Sequence, residues 1–519
     1  MNLLKTLSAI SSMTLVSRLT GLVRESLTAA AFGSTVYMDA FNVAFRLPNM
    51  LRRLFADGAF SQAFVPMLSE YKNKNGQAET KELADQAATF LLWSTIVVSI
   101  IGIIAAPLLI DLLIDADNRT PDSTVAAIWM TRFMFPYIAC MSIVALAGGI
   151  LNTWQQYKIP AFAPVLLNLS FIVAALFLKD HLEHPIYAMA IAVMVGGLLQ
   201  IGVQIPSLIK IGMLPRIHFK PWIALKNVGV RRILRKMTPA LLGVSAAQVS
   251  LLINTSIAGS LGPGAISSLT WADRLMEFPT GMLGVALGTI LLPNLSRANA
   301  KGDMQEYSGL LNWGLRLTFL LALPAAAGLA ALAVPLIASL FNYGAFDAKA
   351  TYSAAAPLVA YSAGLIGIIV VKTLTPAFYA RQDYRAPVRI AIGVIVAVQL
   401  MNLVFVPLLH GVAGLALSMG MGACLNAGCL YFLLHKRGIF VPQPGWMLFF
   451  AKLTVAVAAM GALCWYAAAQ FTWTGPGVHL HGMARLAVLL GIIGAAAVAY
   501  FAVLFALGFR PSDFKRTSR

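Results

Sequence analysis

The sequence predicts an all-α polytopic membrane protein with about fourteen transmembrane helices, arranged as two parallel six-helix repeats followed by two extra C-terminal helices. Its 519 residues are 59% hydrophobic and only 11% charged, and the mean hydropathy is +0.78. Soluble domains carry about 25% charged residues. Apolar runs of roughly 20 residues, the length that a helix needs to cross the hydrocarbon core, recur along the whole chain. Composition and periodicity therefore exclude a soluble globular domain.

Each apolar run is bounded by a polar or helix-breaking segment, which defines its approximate limits. The first, second and eighth runs are the least apolar, because charged residues interrupt them. In chain order the predicted spans are 7–32, 37–68, 87–114, 125–152, 161–178, 186–209, 238–261, 268–296, 313–341, 355–379, 388–407, 412–434, 448–470 and 484–508.

The loops differ strongly in charge. With a cytoplasmic N-terminus, the loops and tail on that side hold 23 Lys and Arg residues, whereas the opposite loops hold only Arg119, Lys179 and Lys349. Cytoplasmic loops are the ones enriched in Lys and Arg. We therefore expect both termini to lie in the cytoplasm, and the net charge of +18 follows from the same bias.

The stretch 210–236 carries eight Lys and Arg residues and no acidic residue. We expect it to lie along anionic headgroups and to anchor the topology. A basic chain can also bind nucleic acid. Here the basic loops lie on one side of the membrane, and no separate soluble domain exists to carry a recognition fold, so nucleic acid binding is excluded.

A repeat organises the chain. Val65-Pro66-Met67-Leu68-Ser69 in the second span matches Leu292-Pro293-Asn294-Leu295-Ser296 in the eighth at an offset of 227 residues. Tyr157-Lys158-Ile159-Pro160 matches Tyr384-Arg385-Ala386-Pro387 at the same offset. Two matches at one offset predict a duplication, and transporters built from such repeats place substrate between the halves. The predicted domains are an N-terminal lobe 1–210, a basic linker 211–236, a C-terminal lobe 237–440 and a segment 441–519 with helices 13 and 14 and a basic tail.

The first span carries two arginines at bilayer depth, where a charge is costly and normally faces a wet cavity. Ser17 and Arg24 are seven residues apart, as are Arg18 and Glu25, so each pair shares a helix face. The residues fit an anion site. They also fit a structural role in which Arg18 and Arg24 pair with Glu25 and lock helices together.

The second span contains more positive than negative charge. Asp39 and Arg46 are seven residues apart, and Pro48 redirects the residues after it. Internal pairing cannot neutralise all the cations, which points to an anionic ligand. Arg46 and Arg53 are equally compatible with a structural role. The candidate site residues after the proline are Asn49, Arg52 and Arg53.

The eighth span groups Asp273, Arg274 and Glu277 directly before Pro279 and Gly281. A carboxylate one turn away can hold Arg274 while leaving its fork available to a ligand. Charge next to a helix breaker indicates either a discontinuous helix at a binding site or a plain kink.

Guanidinium groups bind phosphate bidentately, so a lumen with several arginines suits a pyrophosphate better than an amino acid or a sugar alone. No phosphate-binding Gly-rich loop and no His-Glu-x-x-His motif occurs in the sequence. The four cysteines lack metal-ligand spacing. The residues therefore indicate movement of an anionic ligand, with no cofactor, rather than an enzyme.

Three segments resemble the MurJ (MviN) family of lipid II flippases, and the likeness runs from Met1 to about Arg510. They are Leu47–Pro66, reading LPNMLRRLFADGAFSQAFVP, Asp273–Pro279, reading DRLMEFP, and Pro442–Trp446, reading PQPGW. The resemblance implies the fold of the multidrug/oligosaccharidyl-lipid/polysaccharide superfamily, with a central cationic cavity. It implies cavity arginines at Arg18, Arg24, Arg52 and Arg274, an acidic partner at Asp39, and further cavity positions at Ser17 and Glu277. At position 25 many relatives have Asp, whereas this chain has Glu25.

The function that the resemblance implies is translocation of lipid II, the undecaprenyl-pyrophosphate-linked disaccharide-pentapeptide precursor of peptidoglycan, across the bacterial inner membrane by alternating access. The two extra helices would form a groove for the polyprenyl tail. We expect a monomer that also contacts the bilayer and the cell-wall synthesis machinery. Alternatives are a flippase of another polyprenyl-linked oligosaccharide and a MATE-like cation-coupled antiporter.

The driving force is left open between the membrane potential and coupling to Na⁺ or H⁺. Some members of the family bind sodium, and Asn254 and Asn402 are the polar candidates for such a site here. No acidic residue stands beside either of them.

Overall fold

The structure is a computed structural model that describes residues 3–52, 59–409, 411–475, 478 and 482–510. Across these residues the chain forms α-helices joined by short turns, and no strand is present. The helices are α1 (Leu3–Phe32), α2 (Val36–Arg52), α3 (Ala59–Lys74), α4 (Gly76–Leu113), α5 (Pro121–Met134), α6 (Tyr137–Thr153), α7 (Lys158–Val173), α8 (Tyr187–Lys210), α9 (Pro221–Lys226), α10 (Val228–Ser260), α11 (Ala265–Lys301), α12 (Met304–Ala331), α13 (Ala333–Phe341), α14 (Ala348–Tyr379), α15 (Arg385–Leu408), α16 (Val412–Lys436), α17 (Trp446–Ala469) and α18 (Gly482–Ala506).

Ten helical segments within the described residues are long and apolar enough to cross a membrane. The remaining four predicted spans coincide with α1, with α2 and α3 together, with α10 and with α11. The prediction of an all-α polytopic membrane protein is therefore confirmed.

Besides the second span, two predicted spans each contain two α-helices. The fourth span is α5 followed by α6, and the break falls at Phe135 and Pro136, where proline cannot donate a helical hydrogen bond. The ninth span is α12 followed by α13, with the break at Leu332. Residues 53–58, in the middle of the second predicted span, lie outside the described residues.

The chain divides into two compact units, Met1–Ile266 and Ser267–Arg519. In the first unit, α3, α4, α6 and α10 share a core that includes Phe64, Met67, Leu83, Leu151 and Ile233, all at most 2% exposed. The boundaries of the predicted lobes follow the sequence repeat, whereas the boundary between these two units follows the packing of the helices. Because α10 packs against α3 and α4, it belongs to the first unit.

In the second unit the closest helix pair is α14 with α16. A Cβ on Gly364 would stand 2.1 Å from the Cα of Gly420, and a Cβ on Gly367 would stand 2.4 Å from the backbone nitrogen of Cys424. Small residues let membrane helices approach to backbone contact.

The two extra helices, α17 and α18, belong to the second unit, and hydrogen bonds join the start of each of them to α12 or α13. Near the start of α17, Asn312 of α12 accepts hydrogen bonds from the Gln443 backbone N–H and the Trp446 indole N–H, both at 3.1 Å. Near the start of α18, the buried Arg485 donates to the carbonyl oxygen of Ala338 at 2.8 Å, next to the C-terminus of α13. A cation at a helix C-terminus is favoured by the helix dipole.

The repeat predicted from the sequence is visible in the backbone. Gln155 and Gln382 are the two non-glycine residues with positive φ among those described, each has a φ of 60°, and they are 227 positions apart. The turns around them form matching hydrogen bonds: Gln156 N–H donates to the carbonyl of Leu151 at 2.8 Å, and Asp383 N–H donates to the carbonyl of Phe378 at 3.0 Å. The same unusual turn thus follows α6 and α14.

Candidate functional site

Arg24 lies in the last third of α1 and is contacted on three sides. Its guanidinium donates to Asn168 Oδ1 of α7 at 3.1 Å, forms an ion pair with Glu25, and lies 5.2 Å from the ring centre of Phe171. The side chains of Arg24 and Glu25 are 19% and 14% exposed. The predicted pairing of a first-span arginine with Glu25 is therefore present for Arg24, and the Arg24 side chain is still partly exposed.

Asn168 was not identified from the sequence, although it connects most of this cluster. Its Nδ2 donates to the Ser17 carbonyl oxygen at 3.0 Å and to Thr20 Oγ1 at 3.1 Å, while its Oδ1 accepts from Arg24. The signal that could have identified it is a single amide within the apolar span 161–178, because a polar group at bilayer depth needs a partner.

Arg18 is half-buried on α1, one and a half turns before Arg24. Within the described part of the chain, its side chain has no hydrogen-bond or ion-pair partner. The first unit thus contains one arginine that is held by protein atoms, Arg24, and one that has no described protein partner, Arg18.

The cations of α2 have different surroundings. Arg52 Nε donates to Asn49 Oδ1 at 2.9 Å, so these two candidates lie together at the end of α2. Arg46 donates to the hydroxyl of Thr255 on α10, which favours the structural interpretation for Arg46. Arg53 lies outside the described residues.

Asp39 is 4% exposed and accepts a hydrogen bond from the backbone N–H of Gly264 at 2.7 Å. Ser34 Oγ donates to the carbonyl oxygen of the same glycine at 3.0 Å. The carboxylate therefore lies beside the residue that precedes α11, where the helix dipole favours negative charge. In this structure Asp39 joins α2 to the turn before α11.

In the second unit, Arg274 of α11 donates to Glu277 Oε2 at 3.1 Å, with side chains 33% and 52% exposed. Asp273 is half-buried next to them. The helix continues through Pro279 from Ala265 to Lys301, so the interpretation of a discontinuous helix is wrong and the plain kink is the interpretation that remains.

Lys372 of α14 approaches the same helix. Its Nζ donates to the Thr280 carbonyl oxygen at 3.0 Å, one turn after Glu277. The structure places this cation against the turn of α11 that follows the candidate residues.

The sodium candidates are both buried at 3% exposure, Asn254 on α10 in the first unit and Asn402 on α15 in the second. Asn402 Nδ2 donates to Gln399 Oε1 at 3.1 Å. Among the described residues, no group of three or more His, Cys, Asp or Glu side chains is placed to hold a metal ion. A sodium site at these asparagines stays a prediction.

Charged side chains inside the spans of an all-helical multi-pass chain are typical of one class of protein, the membrane transporters. The comparison with known families gives the particular family. The chain belongs to the MurJ family, because the family model described as "Lipid II flippase MurJ" matches residues 28–484. That family consists of transporters, so the expectation of a transporter rather than an enzyme is confirmed.

The relatives match over the full length of the chain. The lipid II flippase MurJ of Burkholderia cenocepacia is 51% identical over 519 residues and is covered completely by this chain. The probable lipid II flippase MurJ of Vibrio cholerae is 38% identical, with 99% of this chain and 98% of the relative aligned. The resemblance carried by the three sequence segments is thus confirmed.

Solved structures support the fold. A lipid II flippase MurJ in an inward closed conformation matches with a TM-score of 0.78 at 22% identity, covering 95% of this chain and 97% of the other. An inward-facing multidrug resistance MATE family transporter of the MOP superfamily matches with a TM-score of 0.64 at 16% identity, covering 83% and 97%. The chain therefore has the fold that these two kinds of transporter share.

Proposed function

We propose that this protein translocates lipid II from the cytoplasmic to the periplasmic leaflet of a bacterial inner membrane by alternating access, with both termini in the cytoplasm. The observation that carries the proposal is the 51% identity to a lipid II flippase over the whole of both chains. The loop charges support the orientation. The alternative of a MATE-like antiporter has only likeness of fold in its favour.

The arrangement around Arg24 supports binding of a pyrophosphate. Asn168 and Glu25 fix the guanidinium on α1, and the Phe171 ring covers one side of it, so the fork is oriented before a ligand arrives. Arg18 on the same helix offers donors that no described protein atom occupies. A planar fork held in this way suits the bidentate contact that phosphate oxygens accept.

The other candidate residues and the two extra helices also have roles in this proposal. Arg52 with Asn49, and Arg274 with Glu277 and Asp273, would contact the headgroup in other conformations or at other points of its path, while α17 and α18 would hold the polyprenyl tail. Asp39 would hold the turn before α11 in the present conformation. Coupling to the membrane potential, Na⁺ or H⁺ and contact with the cell-wall synthesis machinery belong to the same proposal as expectations.

The test replaces the arginines one at a time. Arg18→Ala, Arg24→Ala, Arg52→Ala and Arg274→Ala are each expected to abolish complementation of a strain depleted of its own lipid II flippase, while the protein still accumulates in the membrane. Loss of one charge-assisted hydrogen bond removes about 1.5–3 kcal/mol in a low-dielectric site. Arg24→Lys and Arg274→Lys should fail or be weak, because lysine keeps the charge but loses the fork.

Arg389→Ala is the matched control, since Arg389 is exposed at the start of α15, and it should complement fully. Full complementation by three of the four alanine variants would contradict the proposal. If the alanine variants no longer accumulated in the membrane, the arginines would be needed to hold helices together rather than to bind a ligand. Transport of purified lipid II in proteoliposomes by the wild-type protein and its absence with Arg24→Ala would link growth to flipping.

A further inference from the structure

We infer that the basic linker, residues 211–236, forms a binding surface for anionic phospholipids of the cytoplasmic leaflet. This inference goes beyond the proposed function: it rests on the membrane orientation proposed there but not on the transported substrate. It rests on how the linker backbone is held, on which side chains it exposes and on its charge.

The backbone of the linker is fixed to α4 by buried polar groups. The carboxylate of Asp85, 8% exposed, accepts the Arg216 backbone N–H at 2.8 Å, and the hydroxyl of the fully buried Thr89 accepts the His218 N–H at 3.0 Å. The Trp93 indole donates to the carbonyl oxygen of His218 at 3.1 Å. These bonds use only main-chain atoms of the linker, so its side chains are left to face outward.

The attachment point lies at the membrane interface. Val97 is the first of a row of exposed apolar residues on α4 that continues with Ile100, Ile101, Ile104 and Leu108. Trp93 precedes Val97 by four residues, which is about 6 Å along a helix. A tryptophan at headgroup level next to a lipid-facing wall is typical of a membrane–water interface. The linker around His218 therefore lies at the depth of the phospholipid headgroups.

The linker exposes large apolar side chains at this depth. Phe219 is 89% exposed, Val228 is 76% exposed, and Trp222 and Ile223 on the short helix α9 are also exposed. Leaving large apolar side chains of this kind in water costs free energy relative to burial. Insertion into the upper acyl-chain region removes that cost, as in other interfacial amphipathic segments.

The charge of the linker is uniformly positive. All eight of its Lys and Arg residues, counting Lys210 at its start, are exposed, and the sequence contains no acidic residue between Glu183 and Asp273. In the described part of the chain, the side chains of Arg216, Lys220 and Lys226 have no hydrogen-bond or ion-pair partner. Unpaired cations beside inserted aromatic side chains match the headgroup phosphates of an anionic lipid. A nucleic acid or an acidic protein would leave the apolar side chains in water.

The experiment measures lipid selectivity of the full-length protein. The purified protein is reconstituted in phosphatidylcholine, and electron paramagnetic resonance compares the association of spin-labelled phosphatidylglycerol with that of spin-labelled phosphatidylcholine. The triple variant Arg216→Gln, Lys220→Gln, Lys226→Gln should reduce the preference for phosphatidylglycerol at least about fivefold, since each cation near an anionic surface contributes measurably to attraction. The backbone bonds to Asp85 and Thr89 do not involve the substituted side chains.

A charge-matched control separates this surface from general basicity. Lys301→Gln, Arg389→Gln, Lys436→Gln removes three exposed cations near the ends of α11, α15 and α16 and should change the preference less than about twofold. Equal losses in the two triple variants would overturn the inference. An unchanged preference in the linker variant would overturn it as well.

A second measurement tests insertion directly. In a background without the native cysteines, a spin label at Phe219→Cys should collide more with oxygen than with a water-soluble nickel chelate. A label at Lys74→Cys, at the exposed end of α3, should show the opposite. Equal access of the nickel chelate to both positions would mean that the linker stands in water, and the inference would be wrong.

Discussion

Asn168 shows how one amide can orient a charged residue inside a membrane. It uses both of its polar atoms, accepting from Arg24 and donating to Ser17 and Thr20 on the same helix. A buried polar group without partners is costly, so α1 and α7 are held in one register by these bonds. The position of the guanidinium thus depends on a residue more than 140 positions away in the sequence.

We predict that Asn168→Leu lowers the flipping rate in proteoliposomes at least about tenfold. The leucine has a similar size, but it removes one of the two acceptors that hold Arg24, and a hydrogen bond to a charged group contributes about 1.5–3 kcal/mol. Ser170→Ala is the control, because Ser170 lies on the same helix and bonds the carbonyl oxygens of Leu167 and Ala192 instead. Equal rates for Asn168→Leu and the wild type would show that Arg24 needs no orientation.

Gly264 is the residue on which the contact with Asp39 and Ser34 depends. Its φ is +81°, and a Cβ would stand 2.8 Å from the carbonyl oxygen of Ser34. Both the backbone conformation and the space therefore favour glycine.

We predict that Gly264→Ala lowers the thermal unfolding midpoint of the purified protein more than Gly302→Ala does. Gly302 has a similar φ of +72° but nothing within 4 Å of its added Cβ, so it bears only the backbone strain of about 1–2 kcal/mol. The difference between the two unfolding midpoints measures the destabilisation that the close approach of the added Cβ to the Ser34 carbonyl oxygen causes. Identical midpoints would mean that this contact contributes nothing to stability.

At the scale of elements, the pairing of α14 with α16 depends on glycines that meet backbone to backbone. Gly364 and Gly420 face each other, and Gly367 faces Cys424. With little hydrophobic driving force between helices in lipid, close van der Waals contact supplies the attraction. An added methyl group cannot be accommodated by a side-chain movement, because its neighbours are main-chain atoms.

We predict that Gly364→Ala destabilises the protein by about 1–3 kcal/mol, as overpacking does in close-packed interiors. Gly428→Ala on α16 should be neutral or slightly stabilising, because its Cβ would meet nothing within 4 Å and alanine is the better helix former. Denaturation of both variants in the same detergent compares them. Equal destabilisation would indicate that loss of glycine flexibility, not the interhelical contact, is responsible.

The sequence predicts the elements better than their packing. The class and most spans follow from apolar length alone, since every backbone polar group in lipid must be satisfied within a helix. The breaks at Phe135 and Leu332 were missed, because the apolar runs continue through them. Arg18, Arg24 and Glu25 are evident as charges inside an apolar span. Asn168 is not, because its importance comes from tertiary contacts with α1.

At the scale of the whole molecule, the two halves of the chain carry the same sequence motifs and the same backbone turn, which indicates a duplication. The sequence motifs share an offset of 227 residues, and the backbone repeats the same left-handed residue at Gln155 and Gln382. Nothing in the side chain of glutamine requires this conformation, which favours glycine or asparagine. The turn has therefore been retained as a backbone shape in both halves.

This equivalence makes a symmetrical prediction. Gln155→Gly and Gln382→Gly should each stabilise the protein by about 0.5–1 kcal/mol, because relief of left-handed strain of roughly 1–2 kcal/mol exceeds the extra entropy that glycine loses on folding. Gln156→Gly, one residue along and without a positive φ, should destabilise by about 0.5–1 kcal/mol because it gains no relief of strain. Thermal unfolding midpoints of the three purified variants measure the effects. If one glutamine variant stabilised and the other destabilised the protein, the two turns would share a dihedral angle without sharing a structural role, and the backbone evidence for duplication would fail.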